Sequence, residues 1–385
     1  MKKTRLLLAI TVYNGRAVVP TCLRSAAAIH SKEIDMDVLV LDDCSPDPGY
    51  SGEIQALCSE LGLQYYRSPR NLGIPRNVNL GLLRAMDAGY DFVIIANSDV
   101  LFSESLPDTM VEAAASDPSI GSVTAWSNNV SIFSLPNDDP DLYLRDQDRV
   151  NWLSTSIYGN FGAAAVDIPA GISFCILIPV PVLRHVGLMD PVYGRGYCEE
   201  TDWSLRSKSL GYRITLSPSS FAYHQGGGTN VEAGLLSSGH TSVPAHERII
   251  DHRYPLFRSQ VEAFVNSETL DNLRSGATKK ILVDAARQWG YSVVAGLNPS
   301  GSGSVGPVVR IEESQGTFAA VVRYIGFEQI LPRYENVPQG LFEFFGSAPT
   351  SVRVIEPAGR LGDVTTGFGA LGAHVQREVC YPSRV

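Results

Sequence analysis

Four short clusters in this 385-residue chain combine side chains that can do chemistry. Tyr13-Asn14-Gly15, Asp42-Asp43 and Asn97-Ser98-Asp99 each follow directly on an apolar run, and Glu199, Glu200 and Asp202 open an amphipathic stretch. A carboxylate at the end of a buried strand can hold a hard divalent cation, which prefers oxygen ligands. Crowded carboxylates can also supply a general base, provided their pKa is not far below working pH. At a helix start the dipole favours the ionised form, whereas mutual repulsion pushes one acid of a cluster upward. His224 would add an imidazole, a ligand that suits Mn²⁺ better than Mg²⁺.

The elements that must position these residues can be read from hydrophobic period. Leu6 to Val12 is a continuous apolar run, as expected of a strand buried on both faces. Val18 to Ile29 sets Val18, Cys22, Leu23, Ala26 and Ile29 near one helical face. Strands follow at Met36–Leu41, Leu63–Arg67 and Phe92–Ala96, with helices at Glu53–Leu61 and from about Arg76 to Ala85. Strands separated by helices imply right-handed crossovers and a mostly parallel, Rossmann-like sheet. Ligands of such sheets bind outside the carboxyl ends of the strands, where three of the four clusters fall.

From Pro107 to Pro169 the pattern weakens into what reads as a loop-rich excursion. It returns as a strand at Ile172–Ile178, a short helix at Val182–Val186, and a helix at Glu199–Leu210 closed by Gly211. Beyond Arg258 the character changes. Thr278–Trp289 predicts a helix, residues 298–306 form a Gly/Ser-rich linker, and β-branched runs continue to Val385. The expected division is a catalytic domain over 1–257 and a smaller α+β extension over 258–385. The extension is a candidate for acceptor binding, membrane docking or a homo-oligomer contact.

The formal net charge is −9, and from Asn266 onward 11 Lys/Arg face 11 Asp/Glu, so the excess acid lies in the first 265 residues. That balance argues against a nucleic-acid partner, and an acidic domain that binds a diphosphate needs a cation between the two. Six cysteines without a C-x-x-C pair read as buried free thiols of a cytoplasmic protein. The apolar run after Lys2-Lys3 meets Thr11 and Asn14 with no cleavage site. Gly171–Leu183 carries Pro179 and Pro181 and is shorter than the roughly 20 residues of a spanning helix, so no transmembrane segment is expected.

Thr11-Val-Tyr-Asn-Gly15, Val38-Leu-Val-Leu-Asp-Asp43, and Asn71-Leu-Gly73 with Asn79-Leu-Gly81 together resemble the opening of family 2 glycosyltransferases, which have the GT-A fold. Phe92 to Asp99 stands where that family has its D-x-D motif. Gly187-Leu-Met-Asp190, Cys198-Glu-Glu-Thr-Asp-Trp203 and Gly211-Tyr-Arg-Ile214 resemble its later stretch, and His224 with Gly226-Gly-Gly228 its closing segment. The resemblance spans roughly residues 5 to 230, on the side of the rhamnosyltransferase-like inverting enzymes.

What the resemblance implies is transfer of a sugar from a UDP- or dTDP-linked donor to a hydroxyl of a carbohydrate, glycolipid or protein acceptor. Thr11, Tyr13, Asn14, Asp42, Asp43, Asn71, Gly73, Arg76, Asn97, Ser98 and Asp99 would bind the donor, with Arg70 a further candidate. Asp99 and His224 would hold Mn²⁺ or Mg²⁺, which neutralises charge growing on the leaving phosphate. Glu200 would be the base, with Asp202 and Glu199 as the other candidates. Two departures stand out: Asn97 replaces the first acid of D-x-D, and Glu200 replaces the usual Asp. The alternatives are a nucleotide-sugar binder without turnover and a sugar-phosphate nucleotidyltransferase, although the latter's Lys/Arg-bearing Gly-rich loop is missing after the first strand. No G-x-G-x-x-G follows that strand either, which argues against a dinucleotide-dependent oxidoreductase.

Overall fold

A computed structural model of the chain describes residues 3–136, 146–226, 243–296, 305–314, 317–332, 336–356 and 367–379. Two compact units emerge, Met1–Asp271 and Asn272–Val385. The first begins β1 (Thr4–Val12), α1 (Val19–Ala27), β2 (Ile34–Asp42), α2 (Pro48–Leu61), β3 (Gln64–Arg67), α3 (Ile74–Asp87), β4 (Phe92–Asn97) and β5 (Val100–Phe102). It continues through α4 (Leu106–Ala115), β6 (Ile120–Trp126), α5 (Gln147–Phe161), β7 (Val166–Asp167), β8 (Cys175–Pro179) and α6 (Val180–Val186). Then come α7 (Glu199–Ser209), β9 (Arg213–His224), α8 (Pro244–Arg253), α9 (Phe257–Val265) and α10 (Glu268–Trp289), the last crossing the division at Asp271.

The sheet runs in the order β3-β2-β1-β4-β8-β6-β9-β5, with β7 also on β9. From β3 to β4 every pairing is parallel, while β8 is antiparallel to both its neighbours. Leu6 to Ile10 of β1 are almost completely buried, because helices cover the sheet. α3 approaches β1 so closely that a Cβ on Gly81 would stand 2.8 Å from that of Ala9. Register fixes the site: Val12 lies abreast of Asp42, and Thr11 abreast of both Leu41 and Asn97. The three sheet-end clusters therefore share one edge. β9 then brings His224 opposite Val100, directly after the Asn97–Asp99 turn.

The stretch from Pro107 to Pro169 differs from its reading as an excursion. Among its described residues are α4, the fully buried strand β6 and α5. Gly121, Ser122 and Thr124 dilute the apolar signal of β6, yet Thr124 Oγ1 accepts the backbone N–H of Ile172 at 3.2 Å. α10 starts at Glu268, ten residues before the predicted helix start at Thr278, with Glu268 and Asp271 in its first turn. Cys22, Cys58 and Cys175 are buried free thiols, Cys44 and Cys198 half-buried ones. No helix among the described residues is long and apolar enough to cross a membrane.

The second unit is a six-stranded sheet, ordered β13-β12-β11-β10-β14-β15. Its strands are β10 (Ser292–Gly296), β11 (Val308–Ser314), β12 (Thr317–Tyr324), β13 (Phe327–Ile330), β14 (Ser351–Glu356) and β15 (His374–Val379), with α11 (Val337–Phe345) among them. β11, β12 and β13 form an antiparallel meander, whereas β10, β14 and β15 run parallel. Tyr291 stacks on Phe345 at 4.0 Å between ring centres. Of the Gly/Ser segment expected at 298–306, residues 298–304 lie outside the described residues, as do Gly227 and Gly228.

Candidate active site

Asp99 and His224 meet at the sheet edge. Asp99 Oδ1 stands 3.2 Å from His224 Nε2, and both residues are largely buried. The imidazole is fixed on its far side, where Nδ1 contacts the carbonyl of Asn129 at 2.9 Å. A carbonyl only accepts, so Nδ1 carries a hydrogen and Nε2 is left to face a carboxylate oxygen. Two acceptors in that position require a proton or a cation between them. Burial works against the charge on both groups, but their mutual attraction outweighs it: Asp99 is held below the usual carboxylate range and His224 is raised. Oxygen and nitrogen ligands bonded at about 2.1 Å to one octahedral ion stand about 3 Å apart, so the pair fits a divalent cation. Among the described residues no further His, Cys, Asp or Glu joins them, so the remaining ligands would come from substrate and water.

Asn97 is held through its backbone, its N–H donating to Phe174 O at 2.9 Å, and Ser98 is buried between it and Asp99. Thr11 Oγ1 lies 3.4 Å from the carbonyl of Ala96, and Tyr13 and Asn14 line the same edge half-buried. Asn14 adopts φ 59°, and its N–H donates to Ser45 Oγ at 3.1 Å.

The two aspartates ending β2 have different surroundings. Asp42 is completely buried and accepts from Ser45 N, Ser51 Oγ and Tyr65 OH at 2.6–2.8 Å, with Arg67 Nε 3.6 Å away. It thereby ties the loop after β2 to α2 and β3. Asp43 grips the backbone of the Asn71–Gly73 loop, accepting from Leu72 N at 2.7 Å and Gly73 N at 2.9 Å. Burial pushes its pKa up, against the pull of those two amides. Each oxygen retains a lone pair with which to accept from a ligand.

Gly73 has φ 78° and ψ 159°, a region essentially reserved for glycine. A Cβ there would lie 2.1 Å from the carbonyl oxygen of Gly194. Gly73→Ala is therefore expected to cost about 3 kcal/mol of stability from strain and overpacking, read as a lower denaturant midpoint. The same contact brings Arg195 beside the loop, its carbonyl accepting from Ile74 N at 3.3 Å. Arg70, Arg76 and Arg195 are exposed, and none forms an ion pair among the described residues. Sequence reasoning missed Arg195, since no motif marks it.

The acids opening α7 divide in role. Asp202 is completely buried and saturated. Oδ1 accepts from Arg253 Nη1 at 2.8 Å, Tyr254 OH at 3.1 Å and Tyr193 OH at 3.2 Å, and Oδ2 accepts from Arg206 Nε at 2.9 Å. Arg253 also reaches Asp190 Oδ2 at 2.9 Å, and burial together with Asp202 pushes Tyr254 up to about 12. His246 of α8 contacts Gly196 O at 2.8 Å, so α8 is pinned to the loop before α7 at both ends. Breaking a buried ion pair leaves its partner uncompensated. Asp202→Asn is accordingly expected to cost about 3–5 kcal/mol, measurable by chemical denaturation. Trp203 is core, donating from Nε1 to Gly187 O at 2.8 Å.

Glu199 and Glu200 carry no such load. Glu199 is buried, Glu200 is half-buried, and neither forms a salt bridge among the described residues. Burial raises both carboxyls, Glu199 the further because Glu200's charge adds to it. Tyr197 and Cys198, which lead into them, both have positive φ, at 72° and 75°. Consecutive left-handed residues other than glycine persist where the surroundings enforce them, and they cluster at functional sites.

Residues 8–166 match the family described as glycosyl transferase family 2, so that stretch carries a glycosyltransferase domain. No curated protein sequence matches significantly. Among solved structures, the chain is similar to the mannosyltransferase PcManGT from Pyrobaculum calidifontis in complex with GDP-Man and Mn²⁺. That alignment has 15% identity over 74% of this chain and 76% of the other, with a TM-score of 0.45. It is also similar to GalNAc-T7 with UDP, GalNAc and Mn²⁺ (12% identity, 68% and 57% covered, TM-score 0.46). A third is residues 1–349 of S. aureus TarS (14% identity, 72% and 80% covered, TM-score 0.42).

Proposed function

We propose that this chain acts as a family 2 glycosyltransferase, moving a hexose from a UDP- or dTDP-linked donor to an acceptor hydroxyl with inversion and using a divalent cation held by Asp99 and His224. The observation that carries the reading is the convergence of Asp99 Oδ1 and His224 Nε2 at 3.2 Å, with Nδ1 already committed to a carbonyl. A bound Mn²⁺ or Mg²⁺ would supply positive charge to the leaving diphosphate.

The chain's own residues supply the rest. Asp43 shapes the Asn71–Gly73 loop and accepts from the base or ribose, and Thr11, Tyr13 and Asn14 border the base. Asp42 acts through the loop it braces. Asn97 and Ser98 set the turn that presents Asp99. Arg70, Arg76 and Arg195 offer charge to phosphate oxygens, a contribution that matters in a domain otherwise rich in acid. Glu200 takes the proton of the attacking hydroxyl. A base on the opposite face of the sugar from the leaving group makes single displacement inverting. The acceptor, whether carbohydrate, glycolipid or protein, enters at the α7 end of the site.

The test is a panel of UDP-, dTDP- and GDP-hexoses incubated with the protein and Mn²⁺ and followed by NMR. Consumption of one nucleotide class, with the released sugar first appearing in the inverted configuration, is expected. Donors that all remain intact would overturn the proposal.

A further inference from the structure

The opening of α7 holds two carboxyl groups that form no salt bridge among the described residues, although the reaction proposed above uses one. In each of them one oxygen is buried without a hydrogen-bond partner, Oε2 of Glu199 and Oε2 of Glu200. A buried acceptor with no donor is costly, by about 1–3 kcal/mol and more when charged. Two adjacent carboxylates in this state would also repel each other. Among the described residues no cation pairs with either glutamate. Cys198 lies on the same turn, and Asp202 is already saturated by Arg206 and Arg253. Glu247 of α8 pairs with Arg258 of α9 at 3.5 Å, and Arg258 also pairs with Asp251. The two side chains lie within hydrogen-bonding reach of each other, so one proton held between them would link the carboxyls and remove the repulsion.

We infer that Glu199 is a positioning residue that keeps its proton at neutral pH and donates it to Glu200, leaving Glu200 ionised with its other oxygen for the acceptor hydroxyl. This rests on Glu200 being the base. Glu199 is the deeper of the two, at 3% exposure, and is the one that loses most by ionising. The electrostatics run the same way. Burial and then the neighbouring charge drive Glu199 well above the ordinary carboxyl range, while the hydrogen bond from Glu199 opposes the rise at Glu200. During transfer the acceptor's proton goes to Glu200, and the proton on Glu199 stays in place. The arrangement resembles a carboxyl pair sharing one proton because two adjacent charges cannot both be tolerated.

Infrared spectroscopy of the full-length protein at neutral pH tests this without a substrate. A protonated carboxyl C=O band is expected in the wild type and absent from Glu199→Gln; its absence from the wild type would overturn the inference. Kinetics add a second arm, with release of nucleoside diphosphate from the donor as readout. Glu199→Gln, whose amide still donates to Glu200, should keep turnover within about tenfold of wild type, whereas Glu199→Leu should lose about 100-fold or more. Equal losses in Glu199→Gln and Glu200→Gln would show that Glu199 works ionised, and the inference would fall. Full turnover in Glu200→Gln with the infrared band present would contradict the base assignment and still support the shared proton.

Discussion

Asp99→Ala should bind nucleoside diphosphate no better with Mn²⁺ than with EDTA, and its donor turnover should fall to background. Asp99 supplies the one carboxylate in the proposed cation site among the described residues, because Asn97 offers an amide at the position of the first acid of D-x-D. Loss of a residue that only supports a metal ligand costs about 10–100-fold in metal affinity or activity, and loss of the ligand itself should cost at least about 100-fold. The fold should survive. Asp99 sits in the turn between β4 and β5, and its backbone carbonyl, which accepts from Gln225 N at 3.0 Å, is retained in the variant. His224, freed from Asp99, would remain anchored to Asn128 and Asn129. Unchanged thermal unfolding with lost metal response would separate the functional effect from a structural one.

Glu200→Gln should bind donor with wild-type affinity and transfer about 10²–10⁴-fold more slowly, the usual contribution of a positioned general base. The substitution preserves shape while removing the group that takes the proton. The pH profile of the wild type should carry the same signature. The active form of Glu200 is ionised and burial raises its pKa, so activity is lost as pH falls through a value above that of an ordinary glutamate. Glu200→Gln should abolish that acid limb. A variant with unchanged turnover would move the base elsewhere, and Asp202, fully engaged by Arg206, Arg253, Tyr193 and Tyr254, is poorly disposed to take its place.

The parallel half of the sheet was legible because β1, β2 and β4 each contain an unbroken apolar run, Leu6–Ile10, Val38–Leu41 and Phe92–Ala96, followed by a polar cluster. β6 was not: Gly121, Ser122 and Thr124 interrupt its pattern, and the partner of Thr124, Ile172 N, is 48 residues away in the chain. The candidate site was legible as a set of residue types at sheet ends and at one helix start. How those residues divide their roles was not visible. Asp202 looks like Glu200 in sequence, and it becomes a strut only because Arg253 and Tyr254 return to it from α8 and the residue after it. In the same way, the pairing of Asp99 with His224 depends on β9 running antiparallel to β5, which no local pattern discloses. Arg195 was missed for a related reason: only the close approach of Gly194 to Gly73 brings it to the Asn71–Gly73 loop.

The most direct test of the central claim is calorimetric titration of UDP, dTDP and GDP into wild type and Asp99→Ala, each with Mn²⁺ and with EDTA. UDP or dTDP is expected to bind the wild type tightly, and only with both the metal and Asp99 present. Absence of binding by all three nucleotides, or binding indifferent to metal and to Asp99, would contradict it.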